Sequence, residues 1–162
     1  MTTNSPHSVP RTPAAAAETG ATPSSDTLRS ITLDRTEPGV FIARNARGGE
    51  LRVSGDDGAT FTPVELLLVA IGACTAADVD AVTRRRSEPE AFTVQVDAHK
   101  VRDAVGNVLR DIEVTFDVTF PAGEGGDAAR GALPRALQAS HDRTCTVSRT
   151  VEAGTPVSAL LR

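Results

Sequence analysis

The 162-residue sequence has no tryptophan, no tyrosine, one methionine and a single lysine, Lys100. Its aromatic residues are five phenylalanines, so the stacking platforms on which single-stranded nucleic acid lies are missing. The formal net charge is −4, which also argues against a polyanion held on a basic face. No nucleic-acid partner is expected. Long apolar runs are absent too. The longest, 66–77, covers 12 residues, against the roughly 20 that a membrane-spanning helix needs. It reads as the core helix of a soluble protein with no membrane partner. No basic start leads into an apolar run, so a secretory signal is not expected. Cysteine is scarce: Cys74 and Cys145 stand 71 positions apart, with no paired C-x-x-C spacing. Without a secretory signal a structural disulfide is disfavoured. The expected setting is the cytoplasm, where two free thiols are either inert core residues or a redox pair.

What remains is the material of one domain. Residues 1–28, rich in Pro, Ala, Ser and Thr without apolar periodicity, cannot bury enough surface to offset the entropy of ordering. They are expected to be a disordered tail, leaving 29–162 to fold. Three short strands are predicted near 28–35, 39–46 and 49–54, turning at Glu37-Pro38-Gly39 and at Gly48-Gly49. Helix 63–86 opens with Thr62, Pro63 and Glu65, the spacing of a capping box. Its first half is apolar all round, so it is expected to be buried on every side. Two runs, 90–103 and 107–121, alternate with period two and predict a long antiparallel hairpin turning at 104–107. In the second run Ile112, Val114, Phe116, Val118 and Phe120 share one face. Residues 122–127 break the pattern. A second helix is expected over 128–142, started or kinked by Pro134. A short helix is expected to begin near Cys145, and a short strand near 156–162 to close the chain. The order is α+β without internal repeats. One antiparallel sheet covers one flank of an all-apolar helix, so a second subunit is the economical cover for the rest.

The candidate chemistry is sparse, and each residue has a plain alternative. Cys74 sits in the apolar helix. It is either a small core hydrophobe or a nucleophile in a dry pocket. Burial alone would raise its pKa, so reactivity requires a cationic partner that its own helix does not supply. Glu65 is explained by the capping box, or it fixes an arginine through a bidentate contact. His141, four before Cys145, suggests a Cys–His pair, half a zinc site, or a surface histidine. Arg44 and Arg47 are either solvated or functional. Arg84, Arg85 and Arg86 read as a solvated helix end favoured by the helix dipole.

Three segments, "RNARGGELRVSG", "TPVELLLVAIGACTAADV" and "ASHDRTCTVSRTV", together resemble the OsmC/Ohr family of thiol-dependent peroxidases. The resemblance covers about residues 30–162. Its most specific part is Pro63-x-Glu65-Leu66-Leu67 leading into Gly72-Ala73-Cys74-Thr75, with Cys145 before Val147-Ser148. The resemblance implies an intertwined α+β homodimer, with antiparallel sheets wrapped around long central helices. It implies no cofactor. Cys74 would attack an alkyl or fatty-acid hydroperoxide and become a sulfenic acid, and Cys145 would resolve it to a disulfide. A dithiol, in some relatives a lipoylated protein, would reduce the pair. The family arginine lies in the amino-terminal strands and often reaches the partner's cysteine. Arg44 matches it best, Arg47 is the alternative, and Glu65 would hold it. Two features depart from the pattern. Thr146 stands where many members have proline, and "GACTAADV" is nearer the broad OsmC-like branch than the organic-hydroperoxide-resistance branch. The rival functions are a non-catalytic dimer that binds an apolar small molecule or senses redox state, and a zinc or Cys–His hydrolase on His141 and Cys145.

Overall fold

A computed structural model describes residues 24–55, 58 and 60–161. The expectation for the tail falls mostly outside these residues. Within them, Ser25–Thr27 form a single exposed 3-10 turn. Strands β1 (Ile31–Glu37), β2 (Val40–Asn45) and β3 (Glu50–Ser54) form an antiparallel sheet in that order. The first turn places Pro38 before Gly39, whose φ of 74° suits glycine at that position. The second is tied by Asn45, whose Oδ1 accepts from the backbone N–H of Arg47 and Gly49. Both hairpins follow the sequence expectation.

Helix α1 (Pro63–Thr83) starts as its capping box predicts. Thr62 N–H donates to Glu65 Oε2 at 2.7 Å, and Glu65 N–H returns a bond to Thr62 Oγ1 at 3.3 Å. Strands β4 (Ala91–Arg102) and β5 (Asn107–Thr119) make the long hairpin. On β5, Ile112, Val114, Phe116 and Val118 are half-covered while the alternate residues are exposed. Phe92 and Phe116 meet edge to face across the pair. The register slips between Asp97 and His99, and opposite that bulge Asp111 takes a φ of 53°.

Helix α2 (Glu124–Ala139) begins earlier than the sequence suggests and carries Pro134 in its interior rather than at its start. The Gly-Gly pair that reads as a breaker serves close approach instead. A Cβ at Gly126 would lie 1.8 Å from the Pro121 carbonyl oxygen, and one at Gly125 would lie 2.9 Å from that of Arg86. After α2, Ser140–Thr144 widen into a π-turn, and α3 (Thr146–Glu152) follows. The expected closing strand does not form. Residues 155–161 pair with neither sheet, and Val157, Leu160 and Leu161 are exposed.

The core gathers where α1 meets α2, β4 and α3. Ile71, Gly72, Thr75, Val79 and Thr83 are its buried residues on α1. The expectation that the first half of α1 is covered all round is not met within one chain. None of its residues from 63 to 70 is buried, and Leu67 and Val69 are exposed. The reason is supply: a hairpin and α2 cover one flank, and the three-stranded sheet makes its main contacts among its own strands. By length and composition α1 could cross a membrane, yet its second half buries one face, Ile71, Gly72, Thr75, Val79 and Thr83, inside the chain.

Two α2 glycines give matched predictions of opposite sign. Gly126→Ala should destabilise by about 1–3 kcal/mol through the backbone clash. Gly131→Ala, with open space around its Cβ, should stabilise by about 0.4–1 kcal/mol. Urea denaturation of the two variants checks both.

Candidate active site

Cys74 lies midway along α1, and the chain end of α2 carries Cys145 to it. The π-turn closes through Cys145 N–H, which donates to the Ser140 carbonyl at 2.9 Å. Cys145 then caps α3. Its Sγ accepts from Ser148 N–H at 3.4 Å, with the Ser148 hydroxyl at 3.2 Å and Thr75 Oγ1 at 3.6 Å. Thr75 is the residue after Cys74, so its contact brings the two thiols together, and each shifts the other's pKa. Both thiols are free; Cys145 is fully buried and Cys74 is partly exposed.

The two sulfurs have different surroundings. For Cys74, burial pushes the thiol up. The Val147 N–H pulls it down, but the Cys145 sulfur and the Asp78 charge add to the rise, and the net shift is upward. Burial also works against ionisation of Cys145, yet the Ser148 hydroxyl and N–H, the Thr75 hydroxyl and the Cys74 thiol outweigh it, and its net shift is downward. The two thiols are coupled, so the protonation of each depends on that of the other.

Asp78 follows Cys74 by one helical turn. Its Oδ2 accepts from the Ser140 hydroxyl at 2.8 Å and from the Thr144 hydroxyl at 2.7 Å. Those two residues are the ends of the π-turn. Beside the thiols, a cavity of about 770 Å³ is bounded by Ile71 and Thr75 of α1, Ile112 and Phe116 of β5, Leu137 of α2 and Ser148 of α3. Its walls are largely apolar, and Thr75 and Ser148 connect it to Cys145.

Of the four residues singled out from the sequence, the structure brings together Cys74 and Cys145. Glu65 is nine residues, about 13 Å, along α1 from Cys74. It is engaged in the cap, and the Thr62 backbone and side-chain bonds hold its carboxyl below the usual range. Arg44 lies on the three-stranded sheet, bridged to Asp34 and Glu50 at 2.6 Å each. Glu50 is the larger influence raising its pKa. Arg47 is exposed in the β2–β3 turn. The Cys–His pairing does not form: His141 Nδ1 lies 3.6 Å from Glu152, not on Cys145. Among the described residues no three His, Cys, Asp or Glu side chains are grouped to hold a metal. Arg84 to Arg86 are an exposed helix end, as read from the sequence. Sequence reasoning named Thr75 and Ser148 only as parts of the motif and gave no role to Asp78, Ser140 or Thr144.

Two effects on titration follow from this geometry. Cys145→Ser removes the sulfur that raises Cys74, so Cys74 should alkylate with a lower pH midpoint than in the parent chain. Cys74→Ala removes a donor from Cys145, so the Cys145 midpoint should rise. Alkylation rates measured across pH, with mass detection of each site, check both signs.

The family model described as OsmC-like protein matches residues 55–159. An uncharacterized protein of Mycobacterium tuberculosis is 27% identical over 133 residues, covering 81% of this chain and 94% of the relative. Protein YhfA of Escherichia coli is 26% identical over 115 residues, covering 70% of this chain and 81% of its own. Among solved structures, an OsmC-like protein from Vibrio cholerae aligns with a TM-score of 0.65 at 13% identity, over 78% of this chain and 94% of that one. A hypothetical protein from Aquifex aeolicus aligns with a TM-score of 0.63 at 21% identity, over 79% and 89%. These structures share the fold: α+β, with antiparallel sheets and packed helices. With its matched segment spanning both cysteines, the chain belongs to the OsmC-like protein family.

Proposed function

We propose that this protein reduces organic hydroperoxides through Cys74 and Cys145. The observation that carries the reading is that the chain's only two thiols, 71 positions apart, meet closely enough to shift each other's ionisation, with Cys145 Sγ against the hydroxyl of Thr75, the residue after Cys74. Cys74 is the more accessible sulfur and takes the attacking role. Its thiolate bonds to the distal peroxide oxygen, the O–O bond breaks, and the alkoxide leaves and takes a proton. The resulting sulfenic acid is attacked by the Cys145 sulfur. The S–O bond breaks, hydroxide leaves as water, and a disulfide remains. A dithiol reductant returns two electrons and two protons. Family membership and the apolar cavity beside the pair support a substrate with an organic substituent.

Cys74 needs help to ionise, because its surroundings raise its pKa. In this reading Arg44 of the partner subunit supplies the cation and polarises the leaving oxygen, while Glu65 takes over one of the carboxylate contacts that Asp34 and Glu50 make with it. Uncovered apolar side chains on one face of the three-stranded sheet, Ile31, Leu33, Phe41 and Leu51, and on α1, Leu67 and Val69, support a homodimer that buries them. A cycle of this kind suits a reducing compartment such as the cytoplasm.

A second reading follows from the same cavity. Its volume and apolar lining suit a small ligand, with the thiols as packing. Steady-state assays separate the two. Cys74→Ser should abolish hydroperoxide turnover, Cys145→Ser should react once and stop as a trappable sulfenic acid, and Arg44→Ala should lose roughly a hundredfold in kcat/KM. Full turnover in Cys74→Ser contradicts the peroxidase reading, and a wild type that binds apolar ligands without consuming hydroperoxide establishes the second.

A further inference from the structure

The reaction explains both sulfurs but leaves Asp78 unexplained. An acid one turn from Cys74 works against a thiolate there, since its charge is among the causes that raise that thiol. The contacts of Asp78 show what it does instead. A single oxygen, Oδ2, receives the hydroxyls of Ser140 and Thr144. These residues lie 62 and 66 positions further along the chain and are the first and last residues of the π-turn. Ser140 is 1% exposed, so its hydroxyl has no solvent to fall back on. The next residue after the turn is Cys145.

We propose that Asp78 is a positioning residue that clamps the π-turn onto α1 and so holds Cys145 against Cys74. This inference rests on the dithiol reading of the site. The π-turn needs a restraint of this kind because its backbone closure, Cys145 N–H to the Ser140 carbonyl, fixes the turn's own shape and not its place on α1. Hydroxyls bonded to a carboxylate are stronger tethers than neutral pairs. Two of them on one oxygen fix both ends of the turn to the helix that carries the other sulfur. Ring closure between two thiols depends on how nearly they are held in bonding geometry, and Asp78 acts on that term without touching either the peroxide or the reductant.

The test is thiol–disulfide exchange, which needs no peroxide. The reduced full-length protein is equilibrated with a glutathione redox buffer. Cys74 and Cys145 give up two electrons and two protons, and glutathione disulfide takes them and splits into two glutathione thiols. Quenched samples are weighed. The parent chain should form the intramolecular disulfide. Asp78→Ala should shift the equilibrium toward the dithiol roughly tenfold. Asp78→Asn, whose amide oxygen still accepts both hydroxyls though less strongly than a carboxylate, should recover part of the loss; that rescue distinguishes an acceptor from a charge. Thr144→Val, at an exposed position, should show part of the loss and add little to Asp78→Ala, because both break one network. If Asp78→Ala does not fold, Thr144→Val alone carries the comparison. Parent-like closure in folded Asp78→Ala or in Thr144→Val overturns the inference, as does an Asp78→Asn that fails as badly as alanine. A parent chain that never closes contradicts the dithiol reading itself.

Discussion

Helix α1 carries apolar side chains around its whole circumference, and one chain covers only part of it. The rest of the structure follows from how that surface is shared out. The second half, through Ile71, Thr75, Val79 and Thr83, takes the packing that β4, α2 and α3 provide. The first half keeps Leu67 and Val69 exposed, and the three-stranded sheet keeps its own apolar face open. Buried apolar area stabilises by about 25 cal/mol per Å², so two such surfaces on one molecule are a strong drive to associate. Cys74 sits at the changeover between the two halves, where covered helix gives way to uncovered helix.

That location explains the unequal thiols. Cys145 arrives from the covered side, at the cap of α3, and meets donors from Ser148 and Thr75. Cys74 faces partly outward, with an acid one turn away and no cation from its own chain. In the proposed cycle the outward sulfur meets the peroxide and the inward sulfur waits in a donor-rich pocket. Hydrogen bonds that stabilise a thiolate on Cys145 also suit its later role as attacker of the sulfenic acid. In that cycle Cys74 draws its cation from the proposed partner subunit.

Much of this was legible in the sequence because it rests on local chemistry. Thr62, Pro63 and Glu65 announce the start of α1. Pro38-Gly39 and Asn45 to Gly49 announce the two hairpin turns, and the alternation from Ile112 to Phe120 announces the covered face of β5. The start of α2 was hidden because Gly125 and Gly126 read as breakers. Their purpose, clearance from the carbonyls of Arg86 and Pro121, appears only when those segments meet. The closing strand did not form: residues 155–161 pair with neither sheet, although both sheets have open edges. Within the site, the two cysteines were visible, but the Thr75 donor to Cys145 and the clamp at Asp78 depend on contacts across 62 to 70 positions. Glu65 carried a local explanation, and within one chain the local explanation accounts for its bonds.

The central claim is that Cys74 and Cys145 form a working redox pair for organic hydroperoxides. The most direct measurement is the intact mass of the reduced protein, under denaturing conditions, after one equivalent of cumene hydroperoxide and, separately, of hydrogen peroxide. The account predicts the loss of two hydrogens from a single chain, faster with the organic oxidant. An unchanged mass with both oxidants would contradict it and make Cys74 a packing residue of α1.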